Sequence, residues 1–407
     1  MIEASVRAWV TLACVSLMFF LITALTFSSL GVVLPAMVAE LHWSWGAAGT
    51  GFSLLGVFTG LASLIPAVLI RRLGVRAALM LGAILMAAGF VALARAQGLW
   101  LYFLGCSLAG LSFMTLATVP GTYLLSRVFA RPSFAFGLYF TIGGLGGVAG
   151  PPLYFWVSAI SGGFGGWRGY WIFAAIAVLV LGAISAMLVD VTTNLEGSRD
   201  PDPAITSQSW DVKSALRTPQ FAVLAAAYSA FLFVGITVNA VAVAHLMTHG
   251  VAPVVAGALM SLEAMLNSFA RFLGGVAGRF VSAKTMLLAA LVLLIVGLLA
   301  LGAAQGAPMM LVFAGGIGIG YGLTFFASTI LLLEYFGRGP NLELFSTVNL
   351  ISTIGAVGPA FAGFIFDRSG QFVPAFIILA VVVAAVMLAV ILMRAPRMGA
   401  APGNPAA

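Results

Sequence analysis

Long apolar stretches alternate with short polar breaks along almost the whole chain, and their length is that of a membrane crossing. Twelve can be marked, at 9–37, 45–70, 75–95, 99–127, 134–160, 169–190, 218–247, 253–278, 284–304, 307–333, 343–366 and 373–394. Each is near or above the roughly 20 residues that carry a helix across about 30 Å of hydrocarbon. Helix is the expected conformation, because backbone groups in lipid must pair within their own segment and no alternating barrel-strand pattern occurs. One break is long: DVTTNLEGSRDPDPAITSQSWDVKSALRTPQ, from Asp190 to Gln220, carries Pro, Ser and both signs of charge. It divides the chain into an N-terminal six-helix bundle (1–191), a linker (192–217), a C-terminal six-helix bundle (218–396) and a tail (397–407). Within the linker, WDVKSALRT fits either a short interfacial helix or a solvated loop.

Composition sharpens this pattern. With 62% hydrophobic and 7% charged residues and a mean hydropathy of +1.15, the chain lies outside soluble globular usage. It is expected to be an all-α, multi-pass membrane protein. The first span is too long, and lacks the charged start and cleavage site, for a removable signal peptide. Cys14 and Cys106 both fall inside spans, which argues against a disulfide framework, and no metal-ligand spacing of Cys or His occurs.

Charge sets the orientation. Of 18 Lys and Arg residues, fourteen fall on the side that carries the N-terminus, among them Arg7, Arg71, Arg72, Arg76, Arg127, Lys213 and Lys284. Arg95, Arg168 and Arg368 fall on the other side, and Arg271 alone lies within a span. The positive-inside rule then places both termini in the cytoplasm, and a plasma (inner) membrane is the location expected. The net charge of +7 is explained by topology beside an anionic leaflet, without nucleic acid.

Two equivalent loops suggest an internal repeat: AVLIRRLGVRAALMLG between spans two and three, and GGVAGRFVSAKTMLLA between spans eight and nine. Here the chain resembles the major facilitator superfamily of secondary transporters, whose cytoplasmic signature is GxxxDRxGxR. Arg72, Gly74 and Arg76 are retained, while Ala67 and Arg71 replace the signature's Gly and Asp; the second copy keeps Gly274 and Arg279, with Gly278 in the Asp position. Loss of both acids weakens the usual charge contact between helices. In span five, GLYFTIGGLGGVAGPP matches the family's glycine pattern through Gly137, Gly146, Gly150 and Pro151. Such spacing clears one helix face for close approach, and proline weakens the local ladder, so packing and gating both account for it.

Other patches are similar to the monocarboxylate transporter and oxalate/formate antiporter branch: GIGIGYGLTFFASTILLLEYFG, IGAVGPAFAGFIFDRSGQFVPAF, and RVFARPSFAFGLYFTIGGLGG with Arg131 kept and Pro132 in the second basic position. The resemblance implies the major facilitator fold, twelve transmembrane helices in two pseudo-symmetric six-helix halves, with a substrate site between them.

In span eight, LEAMLNSFARFLGG places Glu263, Asn267 and Arg271 four residues apart on one helix face. An ionised side chain facing lipid there costs about 2.5–3.5 kcal/mol on insertion scales, which makes an intramembrane arginine a functional candidate. Snorkelling to the surface is the competing explanation, since Arg271 lies roughly two turns from the helix end. Eight residues of helix separate Glu263 from Arg271 by roughly 12 Å, too far for a close ion pair. A guanidinium with an open fork suits a carboxylate. The branch resemblance implies the same use, with a cation at Arg271 and a polar or acidic residue at Asn267.

Glu263, in a low-dielectric setting that penalises its charge, can carry a proton or serve as a neutral packing residue. His245 is a second proton-carrier candidate, with a structural histidine at the interface as the alternative. Ser29 stands where some animal relatives have a lysine. Tyr321, Phe325 and Phe326 are expected to wall the site, and Asn349 and Ser352 to offer hydrogen bonds. Arg72, Gly74 and Arg76 join the span-five glycines as gating or packing residues.

The function expected is proton-coupled symport of a small monocarboxylate such as lactate or pyruvate, by alternating access about a midplane site. An organic-anion exchanger, an exporter of a larger amphipathic acid, and a transporter-like receptor are the alternatives. No nucleophile–base pair, phosphate loop or metal cluster suggests an enzyme or a cofactor. The partners expected are a small organic anion, a proton and the lipid bilayer, with no nucleic acid and no obligatory protein partner.

Overall fold

The computed structural model describes residues 6–129, 133–161, 166–191, 210–278, 280–304, 306–337 and 340–396. Most of the expected linker, the tail, Arg131, Pro132 and Arg279 lie outside them. Among the described residues there is no strand.

Among the described residues, eleven helical stretches are long and apolar enough to cross a membrane, and a bent pair makes the twelfth. They are α1 (Val6–Leu41), α2 (Trp45–Leu61 continued by Ile65–Leu73 at 54°), α3 (Val75–Ala94), α4 (Leu99–Val128) and α6 (Trp167–Leu188), with α5 (Ser133–Ile160) between the last two. The second half comprises α7 (Pro219–Thr248), α8 (Pro253–Ala277), α9 (Ala283–Ala303), α10 (Gly306–Phe336), α11 (Glu343–Ser369) and α12 (Val373–Leu392).

The ends of these helices follow local chemistry. Ser44, Thr218 and Ser282 cap α2, α7 and α9 by accepting from the backbone N–H three residues on, which satisfies a donor the helix leaves orphaned. Gly74 turns the chain between α2 and α3 at φ +82°, a conformation that costs glycine little. Pro151 and Pro152 do not end α5, which runs helical through both. The linker segment WDVKSALRT contributes a helix at Val212–Leu216, capped by Asp211, and Trp210 packs edge-on to Phe336 at 5.6 Å.

Packing repeats when every helix is advanced by six. The pairs α3–α6, α3–α4, α2–α4, α1–α5 and α1–α6 recur as α9–α12, α9–α10, α8–α10, α7–α11 and α7–α12. The contacts between halves obey the same exchange, α2–α11 matching α8–α5, with α1–α7 on the axis. This is the expected pair of pseudo-symmetric six-helix halves.

Arg71, Arg72, Lys213 and Lys284 mark one end of the bundle, here termed the basic end. At the far end the halves are latched. Asp367 of α11 accepts from the backbone N–H of Trp45 at 2.9 Å and of Gly46 at 2.8 Å, both in the first turn of α2. Ala360 N donates to Ser53 Oγ at 3.0 Å one step deeper. Gly49 and Gly363 bring the two backbones together, each against a carbonyl of the opposite helix.

Candidate functional site

The polar stripe of α8 is placed by two neighbours that approach closely from different sides. On one side lies α10, where a Cβ at Gly318 would overlap the Glu263 carbonyl and one at Gly322 the Asn267 carbonyl. Two glycines four apart thus let the helices meet backbone to backbone at the level of the stripe. On the other side lies α5 of the opposite half. Ser261 Oγ donates to Val148 O at 2.8 Å, and Gly144 and Gly147 face Ser268 and Ala264. The stripe is therefore carried by a helix at the boundary between the halves, as a site served by alternating access requires.

Arg271 spends only part of its bonding capacity. Nε donates to Asn267 Oδ1 at 3.1 Å, and the guanidinium carbon stands 4.4 Å from the Phe325 ring centroid. Both terminal nitrogens make no hydrogen bond or ion pair among the described residues, and the side chain is part-buried rather than sealed. An amide and an aromatic face hold the guanidinium while its outer edge stays unspent, an arrangement suited to a bidentate carboxylate. Glu263 is 5% exposed and likewise has no hydrogen bond or ion pair among the described residues.

Aromatic rings surround Phe325. Tyr228 lies 6.0 Å and Phe231 6.3 Å from it, and Tyr321 stands edge-on to Phe231 at 4.8 Å. Phe326 packs against Gly274 of α8, within the α8–α10 contact. Asn349 accepts from the Tyr228 hydroxyl at 3.3 Å and donates to Phe345 O at 2.8 Å. Tyr228 is the site residue that sequence reasoning passed over. Its signal was faint: a tyrosine three residues from Phe231 and seven from Gly235, on a helix with no charge.

Several expected residues sit elsewhere. Ser29 is fully buried in the first half, donating to Ala24 O at 2.6 Å and accepting from the Tyr170 hydroxyl at 2.5 Å. Its bonding is internal to that half. Ser352 is also buried and donates to Asn349 O, within its own helix, at 2.7 Å. His245, 1% exposed, places Nε2 2.8 Å from Leu301 O of α9 and its ring 5.0 Å from Phe376 of α12. Its ring thus meets α9 and α12 rather than the stripe of α8.

Among the gating or packing residues, Arg72 is exposed, and Arg76 Nη2 donates to Val189 O at 3.2 Å, tying the α2–α3 turn to the end of α6. Gly146 and Gly150 face backbone carbonyls of α1, Pro151 lies beside Gly257 of α8, and Gly137 faces open space. No group of three His, Cys, Asp or Glu side chains that could hold a metal occurs among the described residues.

Comparison with known proteins agrees with this architecture. The pattern that defines the Major Facilitator Superfamily matches residues 16–279. The chain is 29% identical over 316 residues to monocarboxylate transporter 13 of Bos taurus, covering 75% of this chain and 71% of that protein. In three dimensions it is similar to a bacterial homolog of the human lysosomal transporter Spinster, inward-facing and unoccupied (TM-score 0.73, 16% identity, 96% of each chain). It is also similar to a variant of the nucleoside transporter NupG (TM-score 0.74, 15% identity, 94% of this chain and 99% of that one).

Proposed function

This chain belongs to the Major Facilitator Superfamily, and on that premise we propose that it is a proton-coupled symporter of a small monocarboxylate. The observation that carries this reading is Arg271, seated on Asn267 and Phe325 with both terminal nitrogens unspent, on a membrane-spanning helix at the boundary between the halves. A carboxylate that takes those two donors cancels a charge that is expensive in hydrocarbon. Tyr321 and Phe325 then offer apolar faces to the organic part of the substrate. The likeness to monocarboxylate transporter 13 supports the same substrate class.

Glu263, buried without a partner in the described residues and two turns along the same helix, is the proton carrier in this reading. An anion on Arg271 and a proton on Glu263 leave the loaded site close to neutral, which lowers the cost of the conformational step. With the basic end in the cytoplasm by the positive-inside rule, both termini are cytoplasmic, the membrane is the plasma (inner) membrane, and the latched far end faces out. The two halves then rock about the stripe.

Uptake of labelled lactate or pyruvate into proteoliposomes under an inward proton gradient tests the reading. Arg271→Ala should abolish saturable uptake, and Glu263→Gln should leave exchange but remove gradient-driven accumulation. Uptake indifferent to Arg271 would sink the clamp. Full proton dependence in Glu263→Gln would exclude that residue as the carrier, and binding without accumulation would favour a receptor.

A further inference from the structure

A cavity wall can owe its shape to a residue that never touches the ligand, and α7 contains one. A Cβ built on Gly235 would stand 2.6 Å from Cδ2 of Tyr321, 3.0 Å from its Cζ, and closer still to Cε2. The Tyr321 ring, carried on α10, therefore lies directly on the α7 backbone at Gly235. Phe231, one turn earlier on α7, holds that ring edge-on at 4.8 Å. Real Cβ atoms do not approach ring carbons so closely, so any side chain at 235 must swing the tyrosine away or push α7 off α10.

The consequence lies at the hydroxyl that this ring carries. Among the described residues the Tyr321 hydroxyl makes no hydrogen bond, Tyr321 keeps part of its surface open, and through Phe231 it joins the ring group around Phe325, the ring that carries the Arg271 guanidinium. An unspent phenol thus accompanies an unspent guanidinium edge, and its position is fixed by the seat of the ring on Gly235. A phenol donates one hydrogen bond to a carboxylate, and a charged acceptor makes that bond stronger than a neutral one.

We propose that Gly235 is a positioning residue of the substrate site: it seats the Tyr321 ring across α7 so that the hydroxyl completes the carboxylate clamp begun by Arg271. This rests on the reading of the Arg271 face as a carboxylate site. Gly235 itself makes no contact with substrate, and its effect passes entirely through Tyr321.

The test is a double-mutant cycle read as KM and Vmax for labelled monocarboxylate uptake in proteoliposomes. Gly235→Ala should raise KM roughly tenfold with Vmax retained, as expected for one lost hydrogen bond to a charged group. Tyr321→Phe, which keeps the ring, should raise KM by a similar factor. In a Tyr321→Ala background there is no ring to displace, so adding Gly235→Ala should change KM by less than about twofold. Failure of Gly235→Ala to fold while the double variant folds would support the ring contact, and Tyr321→Phe would then carry the KM test.

An equal rise in KM in both backgrounds would overturn the proposal, because Gly235 would then act through helix packing alone. A Tyr321→Phe protein with unchanged KM would overturn it as well. Arg271→Ala separates the two levels. If uptake depends on Arg271 but ignores Gly235, only this inference fails; if the native protein takes up no monocarboxylate, the reading beneath it fails too.

Discussion

Replacing Asp367 by Asn should open the far end of the bundle. The Asp367 carboxylate is the acceptor for the first-turn amides of Trp45 and Gly46 in the opposite half, and these amides have no partner within α2 because a helix leaves its first donors unsatisfied. A hydrogen bond to a charged group contributes about 1.5–3 kcal/mol in protected surroundings. One of these two is exposed and the other part-buried, so about 1 kcal/mol each is the appropriate scale in wet surroundings. An asparagine keeps one acceptor oxygen and loses the charge, including its attraction to the positive end of α2.

The expected loss is therefore about 1.5 kcal/mol, which moves an equilibrium between closed and open far ends roughly tenfold toward open. Asp367→Ala, which removes both acceptors, should move it further. Spin labels at Arg95 and Gln371, exposed at the far end of opposite halves, would report the shift as growth of a longer-distance population. Hydrogen exchange at the Trp45 and Gly46 amides should accelerate in parallel. A distance distribution and exchange rates that match the native protein would refute the latch. So would an equal shift produced by Arg368→Gln, whose side chain makes no hydrogen bond or ion pair with α2 among the described residues.

Three other substitutions separate binding from architecture. Arg271→Lys keeps a cation near Phe325 but loses the bond to Asn267 and the planar fork, so KM for a carboxylate should rise roughly tenfold or more with folding unchanged. Phe325→Leu removes the face under the guanidinium, worth about 1 kcal/mol at a partly open site, and should raise KM about fivefold without altering proton dependence. Ser29→Ala should do the opposite: KM stays as in the native protein, while thermal stability falls by about 1–3 kcal/mol as the buried Tyr170 hydroxyl loses its acceptor. A Ser29→Ala protein of native stability but raised KM would return Ser29 to the site.

What the sequence made legible follows from which energies are large and local. Span number and the two-half plan rest on apolar length and on the long polar break, and both emerge in the packing because crossing a bilayer leaves few alternatives to apolar helices. The stripe is legible for a similar reason: a glutamate and an arginine four residues either side of an asparagine stand out wherever charge is expensive. Partner choice is another matter. Gly137 and Gly146 belong to one sequence pattern, yet one faces open space and the other a carbonyl of α1. The difference depends on where a second helix runs. Ser29 looked available because the Tyr170 hydroxyl that occupies it lies 141 residues away in the chain. His245 looked mobile for protons because Leu301, its carbonyl partner, is on α9.

The same blindness hid Tyr228, Gly235 and Asp367. Each acts on a helix other than its own, through a ring, an absence or a helix end, and none carries a local cost that would mark it. In an apolar bundle, charge identifies the helix that bears the chemistry, whereas small residues decide how near its neighbours come. Gly318 and Gly322 hold α8 against α10, and Gly235 admits the Tyr321 ring against α7. These contacts set where the unspent donors of Arg271 and Tyr321 point. Substitutions at such glycines should therefore shift substrate affinity before they abolish folding, whereas Arg271→Ala should abolish uptake in a protein that still folds.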